Sequence, residues 1–410
     1  MFDVFLTAEE RALRDRARAF AKNEVDPQLL KDMDQEKVVF PYGFHKKVAA
    51  AGLYGIRFPK QYGGLGMGWT AETAVIEEIG PLGMVLGCQF SMPSIVGEAL
   101  VKFGTEDQRK KFLVPMLRGE LVSAEALTEP RGGSDFFGAT TVAKKYGNEW
   151  VLTGAKRFIV GAEGADFFLV YAKTAPEKPP HESLSVFIVE RERGVKVEHI
   201  FGLMGTRGGG TGRIAFNELR VPKENLVGPE NGGAIIFDQM MIPERMTSAS
   251  GCVGGAQATL DLAAAYSMKR KAFGRPIRKF QAVNFMLAES VTKLDAARGL
   301  VFAAARTVDE GKPHRRMVSE AKKFATETAW EVVNHAMQMM GGIGYTDVYP
   351  IERALRDTRL CLIWTGTSEI MSNLIQHEYY EELQARGKND RRDIEADATH
   401  SEATAEKVYE

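Results

Sequence analysis

The stretch FFLVYAK (167–173) decides the fold class. It is one of five short runs rich in β-branched and aromatic residues, with EWVLTG (149–154), RFIVG (157–161), LSVFIVE (184–190) and RIAFNELRVP (213–222). Gly, Pro and charged turns separate them, which reads as strands gathered into one compact β-domain between about Val122 and Val227. On either side the texture is helical. Leu6, Leu13, Ala17 and Phe20 recur at helical spacing, with Thr7 as N-cap and Glu9 and Glu10 in the first turn. From Gly232 to about Leu383 long helical periodicity returns, clearest in QAVNFMLAESVTKLDAARGLVFAAARTV (281–308). Because strands cluster and do not alternate with helices, the expected class is α+β and not a doubly wound sheet.

The 410 residues exceed one ordinary core. The reading gives an N-terminal helical domain (1–121), a middle β-domain (122–230), a C-terminal helical bundle (231–385) and a charged tail (386–410) expected to be mobile or peripherally docked. Lys+Arg 53 against Asp+Glu 54 leaves a net charge of −1, which favours neither nucleic acid nor an anionic membrane as partner. Cys88, Cys252 and Cys361 are far apart and form no CxxC pair, so no disulfide framework or thiolate metal site is expected. With no apolar signal core and no membrane-length apolar run, a cytoplasmic protein without membrane insertion is expected. The scattered histidines and the missing G-x-S-x-G elbow offer no metal or hydrolase site. GLGMG (64–68) follows no strand and reads as a turn, not a dinucleotide loop.

ALTEPRGGSD (126–135) offers N–H groups and hydroxyls to a planar ligand. Taken with KRFIVG (156–161), MGTRGGGTGRIAFNELRVP (204–222), KRKAFGRPIRKFQAVNFMLAE (269–289) and MGGIGYTDVYPIERALRDTRLCLIWTGTSEI (340–370), it resembles the acyl-CoA dehydrogenase family of flavoenzymes. The resemblance runs from about Leu6 to Tyr380. It implies FAD as cofactor, an acyl-CoA thioester as substrate, an electron-transferring flavoprotein as acceptor and a homotetramer. It further implies that Leu127, Thr128, Gly133, Ser134, Phe158, Ile159 and Val160 line the flavin. Arg270, Phe273 and Gln281 would hold its adenosine and pyrophosphate across a subunit interface, a role for which a guanidinium is suited. Gln338, Gly341, Gly342, Thr367 and Glu369 fall on further flavin-contacting motifs, and Ser134, Arg245, Trp364 and Gly366 on the substrate side.

The chemistry of the family needs a carboxylate against the α-carbon of the thioester. Many members carry it where this chain has Thr365, whose backbone N–H alone could still bind the thioester oxygen. Isovaleryl- and long-chain-type members carry the base on another helix ahead of an arginine, which here is Glu244 in MMIPERMTSASG (240–251). Pro243 predicts a kink or restart there; if the helix restarts, Glu244 lies in a first turn, where the dipole would lower its pKa while substrate binding would desolvate it and raise it. Two departures stand out: Val160 replaces a hydroxyl that commonly bonds flavin N5, and Gly209 and Gly210 replace polar residues. The expected function is α,β-dehydrogenation of a branched, cyclic, aromatic or dicarboxylic acyl-CoA. An oxidase, a flavin monooxygenase-like relative or a non-catalytic FAD- or acyl-CoA-binding subunit are the alternatives.

Overall fold

Thr7 starts the first helix, α1 (Ala8–Asn23), as its sequence predicts. Its hydroxyl accepts from the Glu10 N–H while the Glu10 carboxylate accepts from the Thr7 N–H, which satisfies two donors that a helix start leaves unpaired. The computed structural model describes residues 2–386, so the tail read at 386–410 lies, apart from Arg386, outside the described residues. Helices α2 (Pro27–Asp34), α3 (Phe44–Ala50), α4 (Trp69–Ile79) and α5 (Met84–Phe103), then the short turns α6 (Glu106–Gln108) and α7 (Val114–Leu117), form the N-terminal helical layer. By length and apolarity α5 could cross a membrane, but 78% of its apolar window is buried inside the protein, which makes it a core helix. GLGMG is the turn ahead of α4. The distant Asp309 carboxylate accepts from the Trp69 and Thr70 N–H groups there, and a Cβ on Gly68 would meet Asp309 at 2.5 Å.

The strands are β1 (Ser123–Ala126), β2 (Val142–Tyr146), β3 (Glu149–Ile159), β4 (Phe167–Lys173), β5 (Leu184–Glu190), β6 (Lys196–Ile200), β7 (Gly212–Pro222) and β8 (Leu226–Val227). They form one sheet in the order β6-β7-β3-β2-β4-β5-β8, with β1 added parallel to β4. The lack of polar alternation in FFLVYAK now has its cause. Phe168, Val170 and Ala172 pack on Phe187 and Val189 within the sheet's own core, while Phe167, Leu169 and Tyr171 pack into the helical core with Phe112 and Met240. Both faces are therefore buried.

The C-terminal bundle comprises α8 (Gly233–Lys269), α9 (Gln281–Asp309), α10 (Arg315–Met340), α11 (Ile351–Cys361) and α12 (Ser368–Ala385), with a hairpin of β9 (Lys271–Ala272) and β10 (Arg275–Pro276) after α8. Pro243 corrects one expectation, because α8 runs unbroken through it for 37 residues and Glu244 lies in mid-helix, away from any first-turn dipole. Pro243 itself is buried, as are Met240–Ile242 and most of the residues that follow. The single hydrogen bond that proline removes, a cost of about 3 kcal/mol, is outweighed by burial along the helix.

A polar chain crosses the helix–sheet junction. Gln89 Nε2 donates to the Gly209 carbonyl, which also accepts from the Gly161 N–H at the end of KRFIVG. His45 joins it, with Nε2 3.2 Å from Gln89 Oε1 and Nδ1 2.8 Å from the Tyr54 hydroxyl. These partners suit a neutral ring that donates from Nε2 and accepts at Nδ1. Burial lowers the His45 pKa to about 4, against an ordinary 6.5. The unfolded chain therefore takes up a proton between pH 6.5 and 4 that the folded one refuses, so stability falls as pH falls through that window. At roughly 1.4 kcal/mol per pH unit the loss is about 3 kcal/mol. Urea titrations should give a clearly shallower acid-side slope for His45→Gln than for the wild type, and equal slopes would refute the assignment.

Candidate functional site

The polar stretch 127–129 is held by an ion pair inside the protein. Lys156 of β3 is 0% exposed, and its ammonium donates to Glu129 Oε1 at 2.8 Å and to the Leu127 carbonyl at 3.2 Å. Glu129, 1% exposed, also accepts from the Thr140 hydroxyl and the Thr141 N–H. Burial alone would raise the Glu129 carboxyl, but Lys156 and the Thr140 N–H bring it down to about 2. Burial pulls the Lys156 ammonium the other way, and Glu129 restrains it. The Arg157 N–H then donates to the Thr128 carbonyl at 2.8 Å, which locks the two quoted motifs edge to edge. Next to this lock Phe158 takes a left-handed backbone, φ +58°, and leaves its ring half exposed. A bulky residue in that conformation is strained, and such strain gathers at ligand sites. Ile159 is buried, Val160 and Leu127 are half-buried, and Gly133 and Ser134 stand exposed on the following loop.

In the 207–212 loop Gly210 admits no side chain and Gly209 is crowded, at the positions where the resemblance implies polar residues. Gly210 has φ +60° and a Cβ there would meet the Glu163 Cβ at 2.7 Å; at Gly209 it would meet Val85 at 3.0 Å.

A second group of residues converges on α8. Glu244 is half-buried, and its neighbour Arg245 is buried, donating to the Ser319 hydroxyl at 3.3 Å while its Nε finds no partner among the described residues. One turn beyond Glu244, the Ser248 hydroxyl accepts from the Trp364 indole N–H at 2.9 Å. Lys322 Nζ donates to the Gly366 carbonyl at 2.7 Å. The first bond pins Trp364 against the turn of α8 that follows Glu244, and the second ties Gly366 to α10. Thr365 has φ +52°, its hydroxyl is buried without a partner, and its N–H donates to no acceptor among the described residues. Unpaired buried polar groups are rare and costly. The Thr365 hydroxyl is such a group.

Glu125 of β1 and Tyr171 of β4 close this group from the sheet. Glu125 is paired in register with Leu169, so it shares a face with Leu169 and Tyr171. Burial pushes the Glu125 carboxyl well above the usual carboxylate range, and the Glu244 charge beside it adds to the rise. Burial also raises Glu244, against which a hydrogen bond from Glu125 and the Arg245 charge pull it back. Neither Glu125 nor Tyr171 was singled out in the sequence. The available signal was a lone acid in SAEA (123–126), an otherwise small-residue strand buried at every position.

A third region is an open cleft where α8 ends and α10 ends. Tyr266, Arg270, Ile277, Gln338, Gly341 and Gly342 line it. The Arg270 guanidinium has no partner among the described residues. Gly341 caps α10 at φ +64°, and both glycines leave open space where a Cβ would sit. A free guanidinium beside uncovered backbone fits a pyrophosphate. Phe273 and Gln281 lie outside the lining of this cleft, Phe273 being 95% exposed at φ +49° on the β9–β10 turn and Gln281 exposed at the start of α9. Thr367 caps α12, accepting from the Ile370 N–H at 3.3 Å, and Glu369 points outward from its first turn. The structure thus brings Arg270, Gln338, Gly341 and Gly342 together in one place, and Glu244, Arg245, Trp364, Thr365 and Gly366 in another.

Comparison with known proteins places matches between residues 7 and 380. Models of the acyl-CoA dehydrogenase N-terminal, middle and C-terminal domains match residues 7–120, 124–219 and 231–380. A 3-(aryl)acrylate reductase of Clostridium sporogenes is 39% identical over 374 residues, covering 91% of this chain and 98% of the relative. The caffeyl-CoA reductase-Etf complex subunit CarC of Acetobacterium woodii is 37% identical over 377 residues, covering 91% and 98%. The solved structure of butyryl-CoA dehydrogenase from Megasphaera elsdenii is similar with a TM-score of 0.88 at 31% identity, covering 92% of this chain and 99% of that one.

Proposed function

Because the chain belongs to the acyl-CoA dehydrogenase family of FAD-dependent enzymes, we propose that it interconverts an acyl-CoA thioester and its 2,3-enoyl form. One observation carries the reading: a desolvated carboxyl, Glu244, stands one turn from the anchored 364–366 segment with its unpaired Thr365 N–H. In the oxidative direction Glu244 takes the α-proton. The Thr365 N–H donates to the thioester oxygen, where negative charge develops as that proton leaves. Its preorganised position on the Lys322 and Trp364 anchors means that no reorganisation is needed when the charge appears. The chemistry FAD supplies when bound is acceptance of the β-hydride. Leu127, Thr128, Phe158, Ile159, Val160, Thr367 and Glu369 would lie along its ring, with Gly133 and Ser134 on the loop towards the CoA arm.

Arg270, Gln338, Gly341 and Gly342, with the protruding Phe273 and Gln281, would take the adenosine and pyrophosphate of a neighbouring subunit's FAD. Exposed Phe273, Met268 and Phe285 support such an assembly, in keeping with a homotetramer. The aryl-acrylate and caffeyl-CoA names of two relatives favour an aromatic acyl group among the branched, cyclic, aromatic and dicarboxylic classes. The Etf complex in the second name supports an electron-transferring flavoprotein as electron partner. The three unpaired cysteines suit a reducing, cytoplasmic setting. The first test is anaerobic addition of straight, branched, cyclic, aromatic and dicarboxylic acyl-CoA thioesters to the flavoprotein. Bleaching by aromatic thioesters is expected, and a flavin that none of them bleaches would overturn the reading.

Val160 favours one second reading, re-oxidation of the flavin by oxygen as in an oxidase, because its methyls cannot bond flavin N5. Restoring a hydroxyl with Val160→Thr adds one hydrogen bond worth about 0.5–1.5 kcal/mol. For a two-electron couple that corresponds to a change of about 10–30 mV in the flavin potential. Redox titration of both proteins measures it, and identical potentials would show that the side chain at 160 does not reach the ring.

A further inference from the structure

Glu125 has no structural reason to be a carboxylic acid. Strand β1 is buried along its length, and the neighbours of Glu125 on its own face include Leu169 and Tyr171. Its Oε1 is buried without a hydrogen-bond partner, and so is the Tyr171 hydroxyl. The nearest cation on the sheet, Lys156, is already committed to Glu129 and the Leu127 carbonyl. No ion pair therefore offsets the burial of Glu125, and a buried carboxyl without one stays neutral. That face packs in one core with Met240 of α8, one turn before Glu244, which sets the Glu244 carboxyl beside Glu125, and its charge acts on Glu125 from there.

We propose that Glu125 is a positioning residue for Glu244: it carries the single proton of a carboxyl pair and donates it in a hydrogen bond that keeps Glu244 ionised. The inference rests on Glu244 being the base. Two carboxylates this close do not both ionise, so one proton is shared between them. The surroundings decide where it resides. On α8, Arg245 favours charge on Glu244; on β4 the Tyr171 hydroxyl and on β3 the Lys156 ammonium, itself held by Glu129, favour charge on Glu125, but its burial and the Glu244 charge outweigh them; on α5, the Cys88 thiol near Glu244 is held protonated by burial. Glu125 is buried and Glu244 partly open, which again leaves the charge on Glu244. The arrangement gives the chain a base that is desolvated enough to be strong and still unprotonated at neutral pH. Glu125 keeps its proton throughout, and the α-proton goes to Glu244.

Infrared difference spectra of FAD-loaded wild type and Glu125→Gln at neutral pH test this without any substrate. A protonated-carboxyl C=O band present in the wild type and absent from the variant is expected. Its persistence in Glu125→Gln, or its loss in Glu244→Gln alone, would overturn the proposal by placing the proton elsewhere. The second arm uses a bleaching thioester. Glu125→Gln keeps a donor and should keep the acid limb of the reduction rate in place, whereas Glu125→Leu should move that limb up by about one pH unit, a tenfold loss below it. An unmoved limb in Glu125→Leu would also overturn it. If no thioester bleaches the wild type, the functional reading fails while the infrared arm still decides the proton.

Discussion

Glu244→Gln is expected to bind FAD as the wild type does and to lose reductive bleaching by roughly 10²–10⁴-fold, the usual contribution of a positioned general base. The substitution keeps the shape of the side chain in the middle of a 37-residue helix, so packing gives no reason for unfolding. The carbonyl oxygen of the introduced amide could still accept from Glu125, so the hydrogen bond survives and only the ability to take a proton is removed. Rapid-mixing measurement of flavin absorbance against the best thioester of the panel reads the effect. An undiminished rate with full FAD content would remove Glu244 from the mechanism and send the search for a base elsewhere. Thr365 cannot replace it, because a hydroxyl of ordinary pKa stays protonated at neutral pH, and here that hydroxyl has no base beside it.

The fold was legible because its three textures are separate along the chain: helical spacing at Leu6–Phe20, clustered strands at 149–222, and helical spacing again at 281–308. Local rules sufficed where local chemistry decides, as in the Thr7–Glu10 cap. They failed at Pro243, where the sequence rule weighs one missing hydrogen bond and the structure weighs the burial of a long helix. The candidate site was legible only in the positions the family motif names. Glu125, Lys156 and Lys322 went unremarked because each acts across the fold, on Glu244, Glu129 and the Gly366 carbonyl, at separations that no spacing rule spans. Lys156 and Glu129 even lie inside quoted motifs, yet a lysine in a strand and a glutamate in a loop look like solvated surface until their burial is known.

Removing the Lys156 ammonium is expected to be the most destabilising of the changes considered, and its direction follows from what it leaves behind. In Lys156→Met the hydrocarbon volume stays, but Glu129 remains buried with its charge uncompensated and the Leu127 carbonyl loses its donor. Breaking a buried pair from one side costs about 3–5 kcal/mol. The Thr140 hydroxyl and the Thr141 N–H still bind Glu129 and lessen that cost, which places the loss nearer the lower figure. The double variant Lys156→Met/Glu129→Gln leaves no buried charge and should recover a large part of the stability. If the 127–129 stretch lines the flavin, it should not recover FAD affinity equally, because the anchor on the Leu127 carbonyl is still gone. Denaturant titration and FAD retention, measured on both proteins, separate the two effects. A single variant as stable as the wild type would mean that the pair is energetically neutral, and a double variant with full stability and normal FAD binding would mean that the Arg157–Thr128 hydrogen bond alone suffices to hold the edge of the site.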